Sequence, residues 1–528
     1  MPRSIPTLIV LTACLLVGPV GCAWLVVSEA ETPLAEPDPL AFAPLEVDFA
    51  HRWNPDTSHH LTGAAVLDVD GDGRDELFVG GGQGQADALL TLRDGRLVPL
   101  PDALGLSSDA ATYGALALDW DEDGDVDLFV CRQDGLTLYR REGERFRGEK
   151  IPLDLAPQAV PVGVTVGDLE GDGDPDLYVS VFIAGPQLRS ATFNDPDHAK
   201  PNVLLRNDGA AGFTDITTPV TASLQNTFTA SFVDLDGDRL PELVVAQNTG
   251  EVEILANRGD GRFERIPVDT GFGFWMGLAI GDVDADGDVD LFFSNLGNSI
   301  PNLFTRGDLQ DGQRHAPEWL LLRNDGGLRF TDITAASGLT GYGFAWGALF
   351  EDLDLDGRLD LLVAENYVRW PLHGLRKLPG KGLVQRGEGT RFFASEAIDN
   401  RAFGQTPLFA DFDGDARLDL FWLNNDAPSR AFRNRSDRPF LYLDLPDTAS
   451  AVGAQVRLLG TQGAVHQVAN GQGLASDSSA AKVYGFAPGA RPTAVEVTWA
   501  NGTTWRLDRP LLGVKIAVPP PWREGSVP

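Results

Sequence analysis

Cysteine is nearly absent from this chain of 528 residues: Cys14, Cys22 and Cys131 are the only three. Cys14 and Cys22 sit in an apolar N-terminal stretch, so Cys131 stands alone in the rest and no internal disulfide framework can hold the fold. It follows Leu128-Phe129-Val130, a context that places it on a buried strand. Basic residues are also scarce, 42 Lys and Arg against 76 Asp and Glu, for a formal charge of −34 at pH 7. That imbalance excludes nucleic acid and argues against an anionic membrane as partner. Histidine is sparse and scattered: His51, His59, His60, His198, His315, His373 and His466. Only His59-His60 are adjacent, where a satisfied turn is the simplest role. His198 and His315 sit in two different insertions and could meet over one face, the one catalytic-looking convergence among them. No Gly-x-Ser-x-Gly, Cys-x-x-Cys, phosphate-binding loop or His-Glu-x-x-His phrase is present. Hydrophobic residues make up 43% of the chain, enough to exclude wholesale disorder.

One long apolar run exists, Ile5 to Val27 after Arg3. It is long enough to span a bilayer, and the shorter run to Gly21 suits a secretory core segment. Cys14, after Leu11-Thr12-Ala13, and Cys22, after Val20-Gly21, both resemble the cysteines of bacterial lipoprotein signals. Residues 1–27 are therefore a lipoprotein signal, an uncleaved anchor or a cleaved signal peptide. All three mean export, with membrane contact only through this segment.

What the chain has in abundance is one acidic loop, written seven times. Position 1 is Asp68, Asp119, Asp168, Asp234, Asp282, Asp352 and Asp411. Position 3 is Asp70, Asp121, Glu170, Asp236, Asp284, Asp354 and Asp413. Position 5 is Asp72, Asp123, Asp172, Asp238, Asp286, Asp356 and Asp415. Position 9 is Glu76, Asp127, Asp176, Glu242, Asp290, Asp360 and Asp419. So many carboxylates within nine residues repel one another unless a hard cation lies among them, and an all-oxygen donor set points to Ca²⁺. Alternate side chains at positions 1, 3 and 5 can converge when the loop curls, with the carbonyl of position 7 and the carboxylate of position 9 closing the shell. Seven such ions are expected, in a structural role, because seven equivalent loops give no reason for one to be catalytic. Position 6 is Gly in five loops, where the turn needs positive φ, and Arg239 and Ala416 replace it in loops four and seven. Those two sites are expected to be the weakest.

Position 12 is Val79, Val130, Val179, Val245, Phe293, Val363 and Trp422. An EF-hand needs a glutamate there and a helix after it, so that motif is excluded. Positions 10 to 12 instead read as a strand buried on both faces, and the apolar residue two before each loop marks another strand. Each loop is thus a hairpin tied by metal. Asn-Asp-Gly turns such as Asn207-Asp208-Gly209 and Asn324-Asp325-Gly326 mark further hairpins. Loop-to-loop spacings of 51, 49, 66, 48, 70 and 59 residues fit a four-stranded unit near 50 residues. The longer spacings carry insertions near 183–201, 297–317 and 367–382. Seven units that cannot bury their own cores predict an all-β, seven-bladed propeller. Trp275, Trp319, Trp346 and Trp422 read as blade-packing residues, while Trp370, inside an insertion, is the candidate for a ligand platform.

The Asp-x-Asp-x-Asp-Gly-x-x-Asp-Leu loops resemble FG-GAP/VCBS repeats, the Ca²⁺-binding blades of integrin-α-type propellers, over residues 45–435. The phrase Arg-Asn-Asp-Gly followed by Phe-Thr-Asp-Ile-Thr resembles the cartilage acidic protein family. From 440 to 518 the loops stop. Gly453-Ala454-Gln455-Val456, Asn470-Gly471-Gln472-Gly473 and Val495–Gly502 resemble an ASPIC/UnbV domain, although Ala500-Asn501 and Ser476-Asp477-Ser478 depart from its usual phrases. Residues 28–44 read as a linker and 519–528, opening on three prolines, as a disordered tail. The resemblance implies an exported calcium-binding module of the cell envelope, for binding or adhesion to an extracellular protein or glycan. The competing expectation is a propeller-based hydrolase or lyase acting on an extracellular polymer through the central channel.

Overall fold

A computed structural model describes residues 40–521 apart from 188–191, 298–304, 366–379, 387–388, 462–464 and 488. The expected export segment, most of the expected linker, Trp370 and residues 522–528 lie outside these. Each apolar run that follows an acidic loop is a strand buried along its whole length, from Glu76–Val79 to Asp419–Asn424. Each pairs antiparallel with the strand before its loop, so the loop is the turn of a hairpin. Two more strands complete a sheet, as in Thr112–Leu118, Asp127–Arg132, Gly135–Glu142 and Arg145–Ile151, which pair in chain order. Seven such sheets form the blades of a β-propeller. Their first strands, next to the axis, are Ala64–Leu67, Thr112–Leu118, Ala159–Gly167, Asn226–Val233, Leu278–Gly281, Ala345–Glu351 and Gly404–Ala410.

The ring closes with a strand from the start of the chain. Blade seven supplies Gly404–Ala410, Asp419–Asn424 and Arg430–Asn434, and its fourth strand is Phe42–Val47. Phe42 lies opposite Asn434 and Leu45 opposite Ala431, antiparallel. Glu46 and Val47 then run parallel to Arg96 and Leu97 of blade one. The propeller therefore begins at residue 42 rather than 45, and the end of the expected linker is its clasp. Closure satisfies backbone groups that an open sheet would leave as an edge.

Near the axis the first strands approach too closely for side chains. A Cβ on Gly63 would lie 2.4 Å from Gly114 Cα, and one on Gly277 would lie 2.8 Å from Gly347 Cα. Aromatic side chains fill the wider spaces between blades. Trp275, Trp319, Trp346 and Trp422 are all buried, and three of them donate indole N–H bonds to carbonyls, Trp275 to Gly250, Trp319 to Gly343 and Trp422 to Ile398. Cys131 is buried too, and burial pushes its thiol upward.

After blade seven comes a small β domain of two sheets. One pairs Phe440–Asp444 with Lys482–Gly485 and Lys515–Ala517; the other orders His466–Gln467, Gln455–Leu459, Ala494–Thr498 and Thr504–Asp508. Leu441, Leu443, Val456, Val495, Val497 and Trp499 form its core. Among the described residues no helix is long and apolar enough to cross a membrane.

The clasp is testable. A chain beginning at residue 48 should melt lower by on the order of 10 °C than one beginning at residue 40, because several kcal/mol of buried strand pairing are lost. Identical calorimetric traces for the two would show that residues 42–47 do not close the ring.

Candidate metal centres

The seven loops share one hydrogen-bond pattern, which follows from their residue types. The position-1 aspartate turns back over the loop and accepts N–H bonds from its far side. Asp68 takes those of Gly71 and Gly73, and Asp119 those of Asp123 and Gly124. Position 5 uses one oxygen to accept the N–H of position 7 in every loop, from Asp72 with Arg74 at 2.9 Å to Asp415 with Arg417 at 3.0 Å. Position 9 opens the second strand, and in loops one to six it accepts the N–H of position 2. Oxygens of positions 1, 3 and 9 then come within 4.8 Å of one another in loops one to five, as in Asp68, Asp70 and Glu76. The structure thus gathers positions 1, 3 and 9 in these loops, while position 5 spends one oxygen on its turn and keeps the other.

Two residues per loop adopt the left-handed backbone that glycine favours. Position 6 does so in all seven, including Arg239 at φ 73° and Ala416 at φ 66°. Position 4 does so as well, with Glu122, Ala285 and Leu355 in loops two, five and six. A non-glycine residue there costs roughly 1 kcal/mol. Five loops therefore bear this strain once each, so position 6 does not single out loops four and seven as expected.

The carboxylates suffer from their own concentration. Burial, reinforced by neighbouring aspartates, raises Glu76 and Asp127 to about 7, and Glu242, Asp290 and Asp419 to about 8. Asp352 and Asp360 are raised well above the carboxylate range for the same reason. Two buried oxygens of loops three and four, Glu170 Oε2 and Glu242 Oε1, have no hydrogen-bond partner. Orphaned anionic oxygens in a dry, oxygen-only cluster fit a hard cation. These clusters could hold ions.

The C-terminal domain sits on the face of the propeller that carries these loops. The Val465 N–H donates to Asp282 at 2.9 Å and the Gly485 N–H to Asp352 at 2.8 Å. From this domain residues 468–481 enter the axis. Asn470 Oδ1 accepts from Thr165 Oγ1 at 2.7 Å and the Val166 N–H at 2.9 Å in blade three, and its carbonyl accepts from Ser231 in blade four. Gly473 exchanges two backbone bonds with Leu278 in blade five. The Ala475 carbonyl accepts from Ala115 in blade two, and Asp477 exchanges backbone bonds with Ala64 and Val66 in blade one. Ser478 and Ser479 bond Phe409 in blade seven, while Leu349 of blade six lies against Gly473. A plug made by the chain itself thus fills the channel and ties all seven blades. The phrase Asn470-Gly471-Gln472-Gly473 carried the signal, since a Cβ on Gly471, at φ 75°, would lie 2.4 Å from the Ala230 carbonyl. Nothing in the phrase said what it approached so closely.

Behind the plug a cavity of about 90 Å³ is lined by Glu351, Asp447, Asp477, His466 and Lys482. Burial lowers Lys482, opposed by the three carboxylates, and lowers His466 to about 3. At the other end of the axis His59 is buried and His60 half-buried among Tyr113, Phe182, Trp346 and Phe403, with His59 Nε2 against the Ile183 carbonyl and the His60 carbonyl accepting from Asn425. Burial lowers them to about 4 and about 3. His198 lies close enough to His59 to act on its charge. His315 stacks edge-on against Phe193 and meets Thr305.

This geometry has counterparts among known proteins. Residues 68–130, 119–179 and 234–293 match the FG-GAP-like repeat, and residues 446–513 match the ASPIC and UnbV domain. The matched regions are thus FG-GAP-like repeats and, after them, an ASPIC and UnbV domain. It is similar to cartilage acidic protein 1 of Mus musculus, 24% identical over 375 residues, covering 67% of this chain and 54% of the relative. With the Xenopus tropicalis protein it shares 23% over 476 residues, covering 85% and 62%. The chain thus spans little more than half the length of these relatives. Among solved structures, the BP39L lectin from Burkholderia pseudomallei aligns with TM-score 0.45 at 12% identity, covering 71% of this chain and 96% of the lectin. A rhamnogalacturonan lyase aligns with TM-score 0.40 at 14%, covering 75% and 76%. The plug belongs to the ASPIC and UnbV domain, so the two matched regions make one interlocked unit.

Asn470→Ala should cost roughly 2–3 kcal/mol in urea unfolding, because it strands the Val166 N–H in the core and leaves the Thr165 hydroxyl only its longer bond to the residue-470 carbonyl. Asn501→Ala, at an exposed turn, should stay within about 0.5 kcal/mol. Equal effects from the two changes would mean that the plug contributes nothing to the propeller.

Proposed function

We propose that this chain is an exported, calcium-loaded propeller that serves as a binding or adhesion module at the cell envelope, its partner an extracellular protein or glycan. The observation that carries this reading is the occupied axis. An enzyme working in the central channel needs a cavity there, and residues 468–481 fill it with hydrogen bonds to the inner strands. What remains accessible is the outer surface, including the described parts of the insertions at 183–201 and 297–317, which meet where Asp308 accepts from the Phe193 and Asn194 N–H groups, a position suited to recognition. The metal reading rests on the donor set. Positions 1, 3 and 9 would hold Ca²⁺, with position 5 and the position-7 carbonyl completing the shell. The ion supplies charge neutralisation and a rigid hairpin.

Extracellular Ca²⁺ modules bind at about 10⁻⁴–10⁻³ M. At roughly 1 mM free ion and a dissociation constant near 0.1 mM, each loop gains about 1.4 kcal/mol. Summed over the array this reaches roughly 8–10 kcal/mol, comparable to the stability of a whole domain. Residues 40–521 should therefore melt far higher in millimolar Ca²⁺ than in excess chelator, and an unchanged melting temperature would sink the calcium reading.

The pH dependence should reverse sign with the ion. Without metal, Glu76, Asp127, Glu242 and Asp290 bind protons more tightly folded than unfolded. Their contribution to stability is therefore present at low pH and is lost as pH rises through about 7 to 8. In chelator the melting temperature should fall between pH 5 and pH 8. In Ca²⁺, which requires the ionised carboxylates, it should rise over the same range. Parallel slopes in the two buffers would show that these groups do not ligate the ion.

A further inference from the structure

We infer that the seventh loop holds no metal ion and that Lys515 of the C-terminal domain is its resident cation. This rests on the calcium reading of the other six loops. Among the described residues, the donors that the C-terminal domain offers the position-1 carboxylate in loops four, five and six are neutral: the Gln455 amide to Asp234, the Val465 N–H to Asp282 and the Gly485 N–H to Asp352. In loop seven the donor is an ammonium. Lys515 Nζ lies 2.8 Å from Asp411 Oδ2, and the Asp411 side chain is wholly buried. The same ammonium donates to the Gly73 carbonyl of loop one and lies 5.0 Å from the Tyr442 ring centroid. It is held on three sides, across the seam where blade seven meets blade one.

Arginines stand against positions 3 and 5 of this loop. Arg433 is 3.5 Å from Asp413, Arg435 is 3.9 Å from Asp413 and 3.8 Å from Asp415, and Arg417 is 3.3 Å from Asp415. Four protein cations thus stand beside three of the loop's four carboxylates, Asp411, Asp413 and Asp415. A divalent ion entering this loop would meet like charge at close range in a site shielded from water. Arginines also touch position 3 or 5 in loops one, two and six, as Arg74 does Asp72, Arg140 does Asp121 and Arg438 does Asp354, but among the described residues no cation in those loops pairs with position 1. Two buried oxygens of loop seven, Asp413 Oδ1 and Asp419 Oδ2, still lack partners. They are the remnant of a ligand shell, and they let an ion return once Lys515 is gone.

The test counts bound calcium on the full chain by native mass spectrometry and titration calorimetry, for the wild type, Lys515→Met and Asp411→Asn. The expected counts are six, seven and six. Seven ions on the wild type, falling to six in Asp411→Asn, overturns the inference and leaves the calcium reading standing. Six on both the wild type and Lys515→Met removes Lys515 from the role. No bound ion on any of the three chains sinks the calcium reading itself. If Lys515→Met fails to fold, the comparison of wild type with Asp411→Asn decides the matter alone.

Discussion

Everything in this molecule answers to the mutual repulsion of carboxylates gathered at one face of the ring. Position 9 starts the second strand of every blade and is buried there. Position 1 is folded over the loop by backbone donors. The strands cannot pair as they do without bringing these groups together, and burial raises their affinity for protons. The fold thus creates a charge problem that it does not solve with neutral groups alone. Three means of relief are open to it: protonation, binding of hard cations, and cations supplied by the protein itself. Loop seven uses the last most fully.

The C-terminal domain is the second organising element. A ring of blades tolerates an empty axis only if the inner strands find other partners for backbone groups that face it. Residues 468–481 provide those partners. The two left-handed glycines, Gly471 and Gly473, let the chain pass where side chains would collide with Ala230 and Thr406. Because the same domain also contacts the position-1 carboxylates, its seating and the charge state of the loops are energetically linked. Domain and propeller therefore share one polar interface rather than lying side by side on a flexible linker.

Much of this architecture was legible in advance. Seven registered loops, each followed by an apolar strand, specified hairpins, and the spacing specified four-stranded blades. The buried tryptophans also behaved as packing residues. Other features were not legible. The clasp at Phe42–Val47 carries no motif, since its partner is almost four hundred positions away. The left-handed backbone at position 4 was hidden because Glu122, Ala285 and Leu355 occupy it without glycine. Position 5 looked equivalent to positions 1 and 3, yet its turn with position 7 is a local backbone preference that composition does not display.

The sequence alone determined the repeat, its chemistry and its fold class, because period, residue type and register act over short distances. Only the tertiary structure decided how the ring closes, what fills its axis, and which cation stands at the seventh loop. Those depend on residues far apart in the chain, Phe42 with Asn434, Asn470 with Thr165, Lys515 with Asp411. Such pairings gain their energy from burial and charge that exist only after the blades have assembled.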